Sequence, residues 1–260
     1  MLSSIIAAVL ALVLSVHAAP AASASPAPAR APVTPPARVP LNSNGPAIAA
    51  KLKAQPSVAD RFNSLLTDGN GNLLTGDALR QLTVFDFNNQ APVSGAKGGS
   101  ILLATVDNFP ILQGLGVAGA VAMVEPCGLN IPHSHPRADE IITVVDGMLD
   151  AGFVQENGFN SVVQTQMGKF QATVFPMGSI HFQQNPTCNP AVFVAALNSE
   201  DPGRSDIGTS FWMLPSDIVN AALGFPETIG GGNIDAWRVH LPTELAAGVD
   251  SCLAACGLSK

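Results

Sequence analysis

Basic residues are scarce in this chain, with 12 Lys and Arg against 19 Asp and Glu. Two of them, Arg30 and Arg38, precede Leu41, so the part from Leu41 onward carries 10 basic and 19 acidic residues, about nine net negative charges. Nucleic acid and anionic membranes select a basic patch, and this shortage argues against both as partners. There is no N-x-Ser/Thr sequon either. Asn185-Pro186-Thr187 carries proline in the forbidden place, so no N-linked glycan is expected. Tyrosine is absent, no internal repeat is visible, and beyond the amino-terminal run described next no segment is long and apolar enough to span a bilayer.

That run, Ile5 to Val16, is uncharged and too short to cross a bilayer as a helix. Val16-His17-Ala18 follows as an A-x-A-like cleavage pattern, which predicts a signal peptide over residues 1–18, ending at Ala18 or Ala19, in place of a membrane anchor. Its positive charge comes from the α-amino group alone. Residues 19–40 hold seven prolines among Ala, Ser and Thr. Such a composition cannot bury enough surface to fold, which predicts an extended tether or a processed propeptide. The remaining 220 residues suit one β-rich domain. Four cysteines in a secreted, extracellular chain predict two disulfides, with three possible pairings.

Residues 41–81 read as a helical lead-in. Ile48, Leu52, Phe62 and Leu65 recur at roughly helical spacing with Pro56 between them, and Asp68-Gly69-Asn70-Gly71 is a strong turn. Over 82–200 the rhythm changes to short apolar runs bounded by turn residues: 82–87, 100–106, 117–124, 139–146, 147–154, 161–166, 171–176, 179–184 and 191–197. Closely spaced short strands predict an all-β sandwich or barrel, and Asp146-Gly147 between two of them reads as a hairpin turn. Residues 201–260 turn helical: Ser216 suits the N-cap of a helix over 217–223, with further short helices predicted over 233–240 and 244–256.

Past the signal peptide four histidines remain, and three of them fall in two short motifs. His133-Ser134-His135 has period two, so on a strand both imidazoles project from one face. Glu140 follows across a turn begun by Pro136, and His181 lies in a second predicted strand. Three neutral nitrogens and one carboxylate can enclose a cation and leave positions open for water or substrate. An isolated H-x-H pair is more often a surface pair or a satisfied core pair, so the weight falls on the surrounding pattern.

That pattern resembles the two motifs of the cupin superfamily and, within it, the germin-like and spherulin-like secreted proteins. The first motif, G-x5-H-x-H-x3–4-E-x6-G, is met by His133, His135, Glu140 and Gly147, with Pro136-Arg137-Ala138 in germin wording; its leading glycine position is Cys127, beside Gly128. The second, G-x5-P-x-G-x2-H-x3-N, is met by Pro176, Gly178, His181 and Asn185; its leading position is Phe170, and Gly168 two residues earlier suggests a longer turn. The resemblance covers about residues 60–258, including the tail Cys252-Leu253-Ala254-Ala255-Cys256-Gly257. It implies a double-stranded β-helix, the cupin jelly-roll barrel, with short terminal helices and a metal inside. The mixed nitrogen and oxygen shell suits Mn²⁺, Fe, Zn or Ni, and the likeness to germins implies Mn²⁺. No thiolate is placed to favour copper. A homo-oligomer, dimers grouped as a hexamer clasped by lead-in and tail, is implied as well.

Asn130, three residues before His133, matches a germin asparagine that helps hold substrate at the metal; its alternative is a turn residue entering the strand. A second germin asparagine corresponds to Ala120 here, so the strand over 117–124 offers small apolar groups in place of an amide donor. Phe175 and Met177 are candidates to line the cavity or to pack the core. If the His133 strand runs antiparallel to the His181 strand, with 135 near 181, paired residue numbers sum to about 316. Cys127 then lies opposite residue 189, so a Cys127–Cys188 disulfide is expected. Cys252 and Cys256, four apart on a helix, are left for each other through a distorted last turn, or as thiols or an intersubunit link.

Germin-like proteins are associated with oxalate oxidase and superoxide dismutase activities, so the resemblance implies a manganese-dependent oxidoreductase acting on a small oxygen-rich anion. A negative surface slows superoxide unless a local positive funnel exists, and Arg137, the arginine near the first motif, reads as solvated. The other implied class is a non-enzymatic, spherulin-like wall, spore or stress protein with a structural or ligand-binding metal. Carbohydrate and nucleotide-sugar enzymes on this fold commonly lack the full metal set and rank third. His240, outside the motifs, reads as structural.

Overall fold

The computed structural model describes residues 35–89, 91–159, 161–224 and 245–259. The signal peptide, most of the Pro/Ala-rich stretch, the helix expected over 233–240 and His240 lie outside the described residues. The lead-in forms three helices, α1 (Gly45–Lys53), α2 (Val58–Leu66) and α3 (Gly76–Thr83). Pro56 separates the first two, and Ser57 caps α2, its Oγ accepting from the Asp60 backbone N–H at 3.1 Å. The strand expected over 82–87 is not formed. Leu79 and Leu82 carry the helical period to the end of α3, and Phe85 instead packs on Phe87 and Phe109 at centroid distances of 4.9 and 5.4 Å. A short apolar run has too little period of its own to decide between helix and strand.

Nine strands follow: β1 (Gly99–Ala104), β2 (Ala118–Val124), β3 (Gly128–Ser134), β4 (Glu140–Asp146), β5 (Met148–Val154), β6 (Val163–Gly168), β7 (Ala172–Phe175), β8 (Ile180–Gln184) and β9 (Ala191–Leu197). The carboxy-terminal part adds β10 (Ser205–Asp206), α4 (Ile207–Trp212), α5 (Ser216–Ala222), β11 (Leu245–Ala247) and α6 (Asp250–Ala255). Ser216 is the first residue of α5 and not its cap, and the helix expected over 244–256 is a strand followed by a shorter helix. All pairings are antiparallel. One sheet has the order β1-β2-β9-β4-β7 and the other β10-β3-β8-β5-β6, with β11 also on β3. Alternation in β2, β4 and β9 turns Ala120, Ala122, Ile142, Val144, Phe193 and Leu197 into the core between the sheets. This is the expected all-β jelly-roll barrel. No helix among the described residues is long and apolar enough to cross a membrane.

Asp146-Gly147 does not close a hairpin. The strand before it pairs with β7 and β9 and the strand after it with β6 and β8, so the turn passes the chain from one sheet to the other. Gly147 has φ 76°, and a Cβ there would meet the Ala191 backbone at 2.9 Å. The two positions where the family motifs begin with glycine keep that backbone without the glycine. Cys127 has φ 57° and Phe170 φ 63°. Phe170 thus takes the left-handed place itself, in a four-residue turn closed by Gln171 N–H to Gly168 O at 3.1 Å, and the turn is not lengthened. Its side chain is exposed. Phe170→Gly is therefore expected to be more stable than Phe170→Ala by about 1 kcal/mol, since both lose the ring and only glycine relieves the left-handed strain. Equal melting temperatures for the two variants count against it.

The disulfides correct the expected pairing. They are Cys127–Cys252 and Cys188–Cys256, not Cys127–Cys188 and Cys252–Cys256. The strand register is the first reason. His133 pairs with His181 and Leu129 with Gln184, across a bulge, and Cys127 N–H reaches the Thr187 carbonyl, so residue 189 does not face Cys127. The helix is the second reason. Cys252 on α6 and Cys256 at its C-cap are four apart and so share a face, and each takes its own partner on the barrel.

Candidate metal centre

His133 lies on β3, His135 one residue beyond its end, and His181 on β8 directly paired with His133, all in one sheet. Glu140 opens β4 in the opposite sheet. The barrel thus closes the site from both walls, and all four side chains are buried. One ligand atom from each lies within 4.8 Å of the others. Asn130 also faces inward, although three residues separate it from His133 and a regular strand would put the two on opposite faces. The register shift between them resolves this, in a segment that holds Pro132, which has no N–H to give to a ladder.

Each imidazole is held from behind. Nδ1–H donates to a backbone carbonyl in all three: Ile131 at 2.8 Å from His133, Gly203 at 2.6 Å from His135 and Ser179 at 3.0 Å from His181. A carbonyl only accepts, so Nδ1 carries the proton and Nε2 is turned into the site. Glu140 Oε2 lies 3.1 Å from Nε2 of His181 and 3.3 Å from Nε2 of His135. The ring of Phe175 stacks on His181, centroids 4.4 Å apart and 12° from parallel, so Phe175 packs the site from its core side. Met177 is exposed and lines nothing there.

With Nδ1 committed, the short Nε2–Oε2 approaches require positive charge between them: either two added protons or one divalent cation. Burial first, then the charges of Arg204, His181 and His135, hold His133 well below the usual imidazole range, so its nitrogen is a neutral donor. Without an ion, Nε2 of His135 and His181 approaches Glu140 with an added proton; burial acts to raise Glu140, but those hydrogen bonds and charges outweigh it and bring the carboxyl down to about 2. Donors sharing one ion at about 2.1 Å are at most about 4.2 Å apart, so a small closure of this cluster suffices. The four residues fit a metal: three neutral nitrogens and one carboxylate, with a cavity left on one side.

That cavity, about 220 Å³, is lined by Ile101, Leu103, Ala120, Asn130, Leu197 and Arg204 together with His133, His135 and Glu140. Asn130 donates to Gln183 Oε1 and accepts from Arg204 Nη2 at 3.0 Å, so the turn-residue alternative does not describe it. Arg204 was not visible as a site residue in the sequence; no motif marks it, and it arrives through the pairing of Ser205 and Asp206 with Ser134 and His133. Arg137 points away, bonded to Asp201 Oδ1 at 2.7 Å and half exposed.

Comparison with known proteins agrees with this geometry. Residues 85–228 match the family model described as cupin, and the chain belongs to the cupin family. Within it, spherulin-1A of Physarum polycephalum is 37% identical over 222 residues, 85% of this chain and 83% of that protein. Germin-like protein 8-9 of Oryza sativa subsp. japonica is 35% identical over 183 residues, 68% of this chain and 80% of that one. Among solved structures, an oxalate oxidase superposes with a TM-score of 0.55 at 26% identity, over 61% of this chain and 80% of that one.

Proposed function

We propose that this is a secreted cupin that holds one Mn²⁺ through His133, His135, Glu140 and His181 and acts as an oxidoreductase on a small oxygen-rich anion such as oxalate or superoxide. The observation that carries the reading is the convergence of those four donors beside a cavity containing a guanidinium. A manganese ion supplies a one-electron couple and open positions for an anion. Around it, the residues' tasks are separate. The backbone carbonyls of Ile131, Gly203 and Ser179 aim the imidazoles, the barrel core excludes water, Asn130 bridges Gln183 and Arg204, and Arg204, paired with Asp206, places a guanidinium at the cavity wall. A solved oxalate oxidase, 25% identical with a TM-score of 0.55 over 61% of this chain and 80% of that one, is in complex with the substrate analogue glycolate, which supports a small carboxylate as ligand.

Export is supported by the signal-peptide pattern and by two disulfides. A homo-oligomer is supported by the outer face of the β1-β2-β9-β4-β7 sheet, where Met123, Ile141, Val174 and Val194 are exposed side by side. A second reading, a non-enzymatic wall, spore or stress protein, is favoured by the similarity to spherulin-1A along most of the chain and by Ala120 where the germin pattern has an amide. Elemental analysis of the secreted protein, followed by oxalate oxidation and superoxide dismutation assays, decides between them. One manganese per chain with either activity is expected. Manganese without activity selects the second reading, and a zinc-only protein removes the redox chemistry.

A further inference from the structure

Arg204 has more capacity than its contacts use. Its Nη2 donates to Asn130 Oδ1 at 3.0 Å and its Nε to Asp206 Oδ1 at 2.7 Å, while Nη1 has no hydrogen bond among the described residues. The side chain is 20% exposed and lines the cavity. Apart from Asn130 and the ligands His133, His135 and Glu140, the remaining walls of that cavity are Ile101, Leu103, Ala120 and Leu197, all apolar. The cavity therefore offers one planar cationic donor, one cluster of metal-type ligands and a hydrocarbon surface.

Charge decides which anion suits it. Arg204 and Asp206 neutralise each other, and a divalent ion on three neutral imidazoles and Glu140 leaves one positive charge. A single negative charge balances the site. A compact dianion brings a second charge that the apolar walls cannot compensate, and it has no hydrocarbon to place against them.

We propose that Arg204 is the specificity-determining residue of this cavity, seating the carboxylate of a short monoanionic 2-oxo or 2-hydroxy acid whose apolar body lies on Ile101, Leu103, Ala120 and Leu197. The proposal rests on the metal-centre reading above for its four ligands and departs from it on the anion, setting a monoanionic acid ahead of oxalate. Guanidinium matches carboxylate as a planar two-point donor, and the 2-oxygen of such an acid provides a second polar atom for the ligand cluster. A cavity of about 220 Å³ accepts an acid of about four to six carbons.

The test is isothermal titration of the metal-loaded full chain with 2-oxoisovalerate and with oxalate as probes, with metal content measured alongside. The wild-type chain is expected to bind 2-oxoisovalerate at least tenfold more tightly than oxalate. Arg204→Met is expected to weaken 2-oxoisovalerate at least tenfold with metal content retained, and Arg204→Lys to restore part of the loss. Asp206→Asn is expected to tighten binding several-fold, because it removes the carboxylate that competes for the guanidinium. Oxalate binding as tightly as 2-oxoisovalerate, or an affinity unmoved by Arg204→Met, overturns the proposal. If Arg204→Met does not fold, the Asp206→Asn arm carries the test, and unchanged or weaker binding there overturns it. A wild-type chain that takes up no metal defeats the metal-centre reading and this proposal with it, whereas a metal-loaded chain that fails the Arg204 arms defeats the proposal alone.

Discussion

Glu140→Gln is expected to strip the metal from this protein while leaving the barrel folded. The amide has the shape of the carboxylate, so the core packing of β4 is kept, but it is a neutral and much weaker donor. Altering groups that merely support metal ligands costs about 10–100-fold in affinity, and loss of the single anionic ligand is expected to cost at least 100-fold. Elemental analysis after dialysis should fall from one equivalent to under a tenth. The melting temperature of the wild-type chain should rise with added Mn²⁺, because only the folded chain assembles the site, and that of Glu140→Gln should not. A full equivalent retained by the variant contradicts the assignment of Glu140.

Acid should act on the same site from the imidazole side. His133, buried, has a folded-state pKa below its unfolded value. Its contribution is therefore intact above about pH 6.5 and turns unfavourable as the pH falls below that value, where the unfolded chain binds the proton and the folded one resists it. Glu140, brought down to about 2, has the carboxylate behaviour: stability present above its unfolded value and lost as the pH falls toward 2. Thermal destabilisation of the chain should thus begin below about pH 6.5, while Glu140 is still charged.

The second large effect is expected from the disulfides. Cys127–Cys252 closes 125 residues and Cys188–Cys256 closes 68. In the chain-entropy account, each removal costs up to about 4–5 kcal/mol for loops of this length. For a domain of this size that is roughly 10 °C in melting temperature per bridge. The consequence reaches the site, since α6 follows β11 two residues on, and Leu245 of β11 pairs with Asn130 on β3. Cys127→Ser with Cys252→Ser should therefore lower the melting temperature and also weaken metal binding. The sulfurs of Cys127 and Cys256 lie 3.5 Å apart, so non-reducing peptide mapping is the check on the pairing, and a peptide joining Cys127 to Cys188 rules out the arrangement described.

Much of the barrel was legible in advance, because its strands are short apolar runs with turn residues between them. The stretch over 82–87 shows the weakness of that signal. It had the composition of a strand and became the end of α3 and an aromatic contact, since nothing in six residues specifies a pairing partner. The glycine positions of the motifs were legible in another way. Cys127 and Phe170 looked like departures, yet both hold the left-handed backbone that the motif demands. The pattern had recorded a backbone geometry, and the residue type followed it loosely.

His133, His135, Glu140 and His181 could be singled out from the chain alone because few residue types bind metals and their spacing matches local strand geometry. Local rules carry that far and no farther. The entry of Arg204 beside Asn130, 74 residues away, and the choice each tail cysteine makes across the barrel depend on how β3 pairs with β10, β11 and β8. A bulge of one residue moves those registers. Such pairings are settled by packing two sheets face to face, an energy summed over the whole core and written in no single segment.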